Sequence, residues 1–294
     1  MTATHAHHLR TALPLFLFAG LCLSSLDATA KYLVQGHSVF LVVWARYLGQ
    51  MAVVTPFAWH RAGHGFWRTQ HLKLQLARSL CLVTATVCFF SGLRYLPLAE
   101  GSAITFLAPM FVVALAWPVL HERPPRARIV ASIVGFIGVL VLLRPGSDVL
   151  HPAVVLLIGA ALSNALYQLL TRKLVKDSIH TTLFHSALIG AVMLTLAVPW
   201  ALAETPPISL RDALPFVMLG VLAGVGHWSM TSAYLIAPAA LLAPFAYLQI
   251  LWAIAFGYAI FDQHPDGLSA LGMAIVVASG VGLAAWERRR ARVL

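Results

Sequence analysis

Apolar residues run through this chain in long blocks separated by short polar connectors, most clearly between Arg94 and Gly146. Leu96 to Leu120 carries no charge except Glu100. The polar hairpin His121-Glu122-Arg123-Pro124-Pro125-Arg126-Ala127-Arg128 follows, and Ile129 to Leu143 is apolar again up to Arg144. Hydrocarbon offers no water to backbone N–H and C=O groups, so such a run must close its own hydrogen bonds as a helix. Windows of about 20 residues predict ten spans, at 11–32, 38–58, 75–93, 96–119, 128–144, 150–171, 181–203, 213–234, 238–260 and 267–286. The expected fold class is an all-α membrane protein.

A looser copy of the 94–146 pattern starts at Ala233-Tyr234-Leu235. Prolines interrupt its first run, and an acidic hairpin, Phe261-Asp262-Gln263-His264-Pro265-Asp266, leads to a Gly-rich second run. Glu122 and Asp262 correspond roughly. The chain is therefore expected to be built twice, as 1–148 and 149–294. Five spans per half is an odd number, so the second half enters the membrane from the opposite side, as an inverted repeat. Lys and Arg set the orientation. With the N-terminus in the cytoplasm, fifteen of the 20 fall on the inner side, and only Lys31, Arg94, Arg144 and Arg211 on the outer. Arg46 is left within the membrane. Arg78, Arg94 and Arg144 are expected to snorkel to the interfaces, and both termini are expected in the cytoplasm.

Composition narrows the classes. The 294 residues are 60% hydrophobic and 10% charged, with mean hydropathy +0.83; a soluble chain has about 25% charged residues. The net charge of +10 sits in connectors, without a basic-aromatic module, so it reads as topology and excludes nucleic acid as a partner. Cys22, Cys81 and Cys88 lie inside apolar runs without ligand spacing and are expected to be packing residues. Arg10, an apolar run and Asp27-Ala28-Thr29-Ala30-Lys31 imitate a cleavable signal peptide, but the many similar runs that follow favour retention.

Several residues together carry a family resemblance. They are Trp44-Ala45-Arg46-Tyr47 in the second span, Arg94-Tyr95-Leu96-Pro97-Leu98-Ala99-Glu100 opening the fourth, Pro109, Glu122 and Asp262. In order and spacing the chain resembles the drug/metabolite transporter superfamily, in its ten-helix EamA-type members, and among these the bacterial exporters of aromatic and other amino acids. Phe261-Asp262 departs from the family's usual Gly-Glu hairpin. The resemblance implies a central cavity lined by the first, third, fourth, sixth, eighth and ninth spans, and export of small metabolites from a bacterium across its inner membrane.

Intramembrane polar groups are costly, so each is a site candidate. Ser24, Asp27 and Lys31 share a face of the first span. Asp27 takes a substrate ammonium or a coupling proton, or else pairs with Lys31 and only positions the helix. Arg46 binds a substrate carboxylate, or snorkels, or pairs with Glu100 or Asp27; its place in the family motif favours a structural role. Asn164, Tyr167 and Gln168 stand at i, i+3 and i+4. They offer uncharged donors and acceptors suited to a zwitterion, or else bonds between helices.

His227 lies in a stripe with Gly220, Gly224 and Thr231, beside Trp228. It is a titrating gate or a packing residue; His185 reads as structural. Phe245, Gln249, Trp252 and Phe256 align on the ninth span beside Tyr247. With Phe106 and Trp117 they would make an aromatic cage. Pro109, Pro238 and Pro244 are expected to bend their spans near the midplane. Glu122 reads as a solvated hairpin acid, and the Glu287–Arg292 run as a membrane-surface anchor.

The expected function is a secondary transporter exporting small metabolites, amino acids including aromatic ones, by alternating access through a central cavity. No P-loop is present to use ATP. The alternative is a flippase for lipid or another amphiphile, or a passive channel. An intramembrane enzyme would need a Gly-x-Ser-x-Gly, a His-Glu-x-x-His or paired carboxylates, none of which occurs. No cofactor or metal is expected. The expected partners are a small-molecule substrate and the bilayer, with the chain a monomer.

Overall fold

The computed structural model describes residues 3–121, 124–144, 151–174, 177–203, 205–237, 242 and 245–290, without the side chains of 3–10, 62, 235, 287, 288 and 290. Glu122, Arg123, Lys176, Pro238, Pro244 and Arg292 lie outside the described residues.

The described residues form helices and connectors. These are α1 (Ala3–Gly36), α2 (Val39–Ala62), α3 (Leu72–Leu93), α4 (Leu98–Thr105), α5 (Ala108–Leu120), α6 (Arg126–Leu143), α7 (Val154–Lys173), α8 (Ile179–Thr195), α9 (Val198–Ala203), α10 (Leu210–Ile236), α11 (Leu248–Phe261) and α12 (Gly267–Arg290). Eight segments among the described residues are long and apolar enough to cross a membrane, with Leu98–Leu120 counted as one. Ile179–Thr195 and Leu248–Phe261 are apolar but shorter.

The predicted fourth span is two helices. Pro109 has no N–H for the Thr105 carbonyl, so the α-helical ladder breaks at Phe106 and Leu107, whose N–H groups turn back to Ala103 and Ile104. This break is what presents Phe106 sideways.

Packing follows a rule. The main pairings are α1 with α10, α3 with α7, α2 with α10 and α8, α6 with α12, α1 with α11, α5 with α7, and α3 with α8. Numbering the predicted spans 1 to 10 and exchanging each with the one five places away maps every one of these pairings onto itself or another. Small residues allow the tightest crossings. A Cβ on Gly49 would lie 2.6 Å from the Gly220 backbone, and one on Gly220 2.3 Å from that of Gly49, so α2 and α10 touch backbone to backbone.

One end of the bundle is laced together by polar contacts. Lys31, 4% exposed, donates to the carbonyls of Leu93 and Leu96 at 2.7 and 2.6 Å, and its ammonium lies over the Phe261 ring. Asp212 accepts from Tyr32 and meets His37 Nε2 at 3.2 Å. Gln263 accepts from the Leu98 N–H, and Ser269 donates to Glu100. Arg144 pairs with Asp266. The Arg144 hydrogen bond, helped by the Ser269 N–H, holds the Asp266 carboxyl below its usual range, at about 2. Arg144 is thus paired where snorkelling was expected. At the opposite end, Asp177 accepts from Thr69 and Gln75.

Candidate functional site

Between these ends lies a cavity of about 340 Å³. All six expected spans contribute to it, through α1, α3, the α4–α5 break, α7, α10 and α11, and α2 adds Arg46. Its walls have three characters. Phe89, Phe90, Phe106 and Tyr167 give ring surface, while Asn164, Gln168 and Gln249 give amides. Asp27 gives a carboxyl group and Arg46 a guanidinium. The α1 and α7 contributions follow from helical spacing: Ser24 and Asp27 are one turn apart, as are Asn164, Tyr167 and Gln168.

Arg46 is 4% exposed. Its guanidinium stacks on the Tyr47 ring at 4.6 Å, and Nη2 reaches His227 Nε2 at 3.2 Å. Arginine is a donor only, so His227 Nε2 must accept and the imidazole is neutral with its proton on Nδ1. Arg46 Nε and Nη1 are buried without a partner. Neither expected pairing of Arg46 occurs: Glu100 is taken by Ser269, and no hydrogen bond from a described residue reaches Asp27.

A second arginine was placed wrongly by hydropathy alone. Arg78 is 2% exposed, because α3 starts at Leu72 and its first two turns pack against α7 and α8. Nε donates to Thr171 Oγ1 at 2.6 Å, Nη1 to Ser186 Oγ at 2.6 Å and the Thr182 carbonyl at 3.3 Å, and Nη2 to the Tyr167 hydroxyl at 2.6 Å. The Tyr167 ring also lies 4.3 Å under the guanidinium. Tyr167 therefore faces the cavity with its ring while its oxygen is held from behind.

Of the residues singled out by sequence, the structure brings together Asp27, Arg46, Phe106, Asn164, Tyr167, Gln168, His227 and Gln249 around the cavity. Tyr247 backs it, stacked on Phe106 at 4.9 Å. Three stand elsewhere. Lys31 is occupied by the carbonyls of Leu93 and Leu96, at the end of α3 and just after it, and forms no pair with Asp27. Trp228 packs on Phe57 in a separate apolar crevice. Trp252 turns its indole outward, as Trp117 does. Phe245 and Phe256 pack into apolar clusters, so the expected cage does not form from that stripe. His185 bonds the Thr181 carbonyl of its own helix.

The rings that do line the cavity include Phe89 and Phe90 of α3, with Thr86 one turn before them. Their i, i+3, i+4 spacing was a signal of the same kind as that of Asn164, Tyr167 and Gln168. Spacing alone does not mark these rings as cavity residues, because aromatic pairs in apolar runs usually only pack.

The EamA-like transporter family profile matches residues 10–144 and again 151–284. The chain is 30% identical over 263 residues to the S-adenosylmethionine uptake transporter of Rickettsia prowazekii (strain Madrid E), covering 89% of this chain and 88% of that one. It is 27% identical over 292 residues to the riboflavin transporter of Vibrio cholerae, covering 97% of each. A solved crystal structure superposes with TM-score 0.68 at 19% identity, over 96% of this chain and 99% of the other, a likeness of fold.

Proposed function

From the premise that the chain belongs to the EamA-like transporter family, and so is a secondary transporter of small metabolites, we propose that its cargo is a compact, ring-bearing metabolite. The observation that carries this reading is the cavity wall. Phe89, Phe90, Phe106 and Tyr167 offer ring faces beside the amides of Asn164, Gln168 and Gln249. Flat π systems stack on such faces, and amides read the polar edge of a ring. Aromatic amino acids fit this chemistry, and so does S-adenosylmethionine, whose uptake names one relative.

The proposed machine has ten spans in two inverted halves, 1–148 and 149–294. It sits in a bacterial inner membrane with both termini in the cytoplasm, and alternates access by rocking of the halves about the cavity. The span-exchange rule of the helix pairings, the two family matches and the asymmetry of Lys and Arg between connectors support it. One chain supplies both halves, so the working unit is a monomer. Amino acids move outward in this reading.

The test is transport by purified protein in liposomes, with labelled L-tryptophan, S-adenosylmethionine and riboflavin, with and without a pH gradient. Saturable transport of a ring-bearing probe, competed by the same unlabelled compound, is expected. No transport of any of the three, in vesicles holding protein with a cooperative melting transition, would overturn the cargo class.

A further inference from the structure

The cavity holds one fixed cation and one carboxylate that do not satisfy each other. Arg46 is more than nine-tenths buried, yet only Nη2 has a partner, and that partner is the neutral His227. Nε and Nη1 have none. Asp27, from a different helix, lines the same cavity without an ion pair or a hydrogen bond to any described residue. Charges buried in a bundle normally close on one another or on carbonyls, as Lys31 and Arg78 do here. Unmet donors on a guanidinium are costly, so the arrangement is complete only with something between the two.

We propose that Arg46 and Asp27 form a receptor for an α-amino-acid head group, deepening the transporter reading above, on which it rests. On cargo entry the guanidinium is drawn toward the cavity, so that its unmet, covered donors take the cargo carboxylate, and the cargo ammonium takes Asp27. A zwitterion brings equal and opposite charges, so the filled cavity gains no net charge. His227 holds the guanidinium in its unfilled position. Phe106, backed by Tyr247, lies along the same wall for the ring of the cargo. A ring compound without the head group, such as a flavin, leaves both charges unmet and is disfavoured. Here the cavity differs in preference from what the name of the Vibrio relative states.

Calorimetric binding to the purified full-length chain in detergent tests this. The probes are L-tryptophan with tryptamine, which lacks the carboxylate, and indole-3-propionate, which lacks the ammonium. S-adenosylmethionine is compared with its decarboxylated form, and riboflavin is included. Each analogue missing one charge is expected to bind at least about 10-fold more weakly than its zwitterionic parent, as for loss of a charged hydrogen-bond partner.

Arg46→Gln should bring tryptophan and tryptamine to within about 3-fold of each other, and Asp27→Asn should do the same for tryptophan and indole-3-propionate. If either variant fails to fold, the wild-type probe series still decides. Equal binding of a parent and its one-charge analogue overturns the head-group receptor. Saturable binding of riboflavin without any zwitterion overturns it too, and leaves the transporter reading standing. Binding of no probe by protein that melts cooperatively overturns both the receptor and the cargo class.

Discussion

Arg46 and Arg78 are the same side chain at nearly the same burial, and their surroundings are opposite. Each guanidinium lies over a tyrosine ring, but Arg78 has acceptors on all three of its nitrogens, drawn from α7 and α8. Arg46 has one acceptor and two unmet donors that are covered within the cavity wall. A cation whose shell is closed by its own protein holds helices together. One whose shell is open is the group that the proposed head-group receptor uses. Burial and charge do not separate the two roles; counting satisfied donors does.

The comparison can be broken by stability measurements in detergent. The largest effect expected is for Arg78→Gln, which removes most of the network linking α3 to α7 and α8. It should cost about 3 kcal/mol, or abolish folding, by loss of several charged hydrogen bonds at once. Chemical denaturation of the purified chain checks it, and a loss under about 1 kcal/mol would return Arg78 to the interface. Tyr167→Phe keeps the ring and strips one acceptor from Arg78, so a loss of about 1–2 kcal/mol is expected with the cavity wall intact.

Arg46→Gln should sharpen the contrast, because it removes two unmet buried donors. Its stability should stay within about 1 kcal/mol of the parent or rise. A loss matching that of Arg78→Gln would show that Arg46 is structural after all.

The smallest effect concerns Asp266, whose carboxyl is pushed down from 3.8 to about 2 by Arg144. A depressed acid stabilises the fold above its unfolded pKa and ceases to do so as pH falls through the folded value. The gap in melting temperature between the wild type and Asp266→Asn should therefore be constant above about pH 5. It should close as pH approaches 2. A gap that closed instead near pH 7 would point to a histidine.

What could be read from the sequence was what the bilayer dictates one segment at a time. Apolar runs, their charged connectors and the helical faces of Asp27 and of Asn164 with Gln168 are local properties, and the structure shows them where spacing put them. Arg46 was legible as an intramembrane cation at the cavity, though its partner His227 was not, and Arg78 was not legible at all. The partners of Arg78 lie 89 to 108 residues away, so its position near a predicted helix end suggested only an interface. Lys31 looked like a partner for Asp27 because one helical turn separates them. Its real acceptors are carbonyls 62 and 65 residues on, at the end of α3 and just after it. Trp252 and Trp228 fell on the right helices, but rotation about each helix axis depends on neighbours that no single span encodes.

The contact of Gly49 with Gly220 has a further consequence. It joins the same two helices, α2 and α10, that carry Arg46 and His227, less than two turns away on each side. The spacing at that crossing fixes whether the imidazole can reach the guanidinium. A single added methyl there would separate the backbones and loosen the charged pocket together with the joint. In the proposed transporter, selectivity and turnover would therefore be mechanically tied: the bearing could not be retuned without also changing the lock.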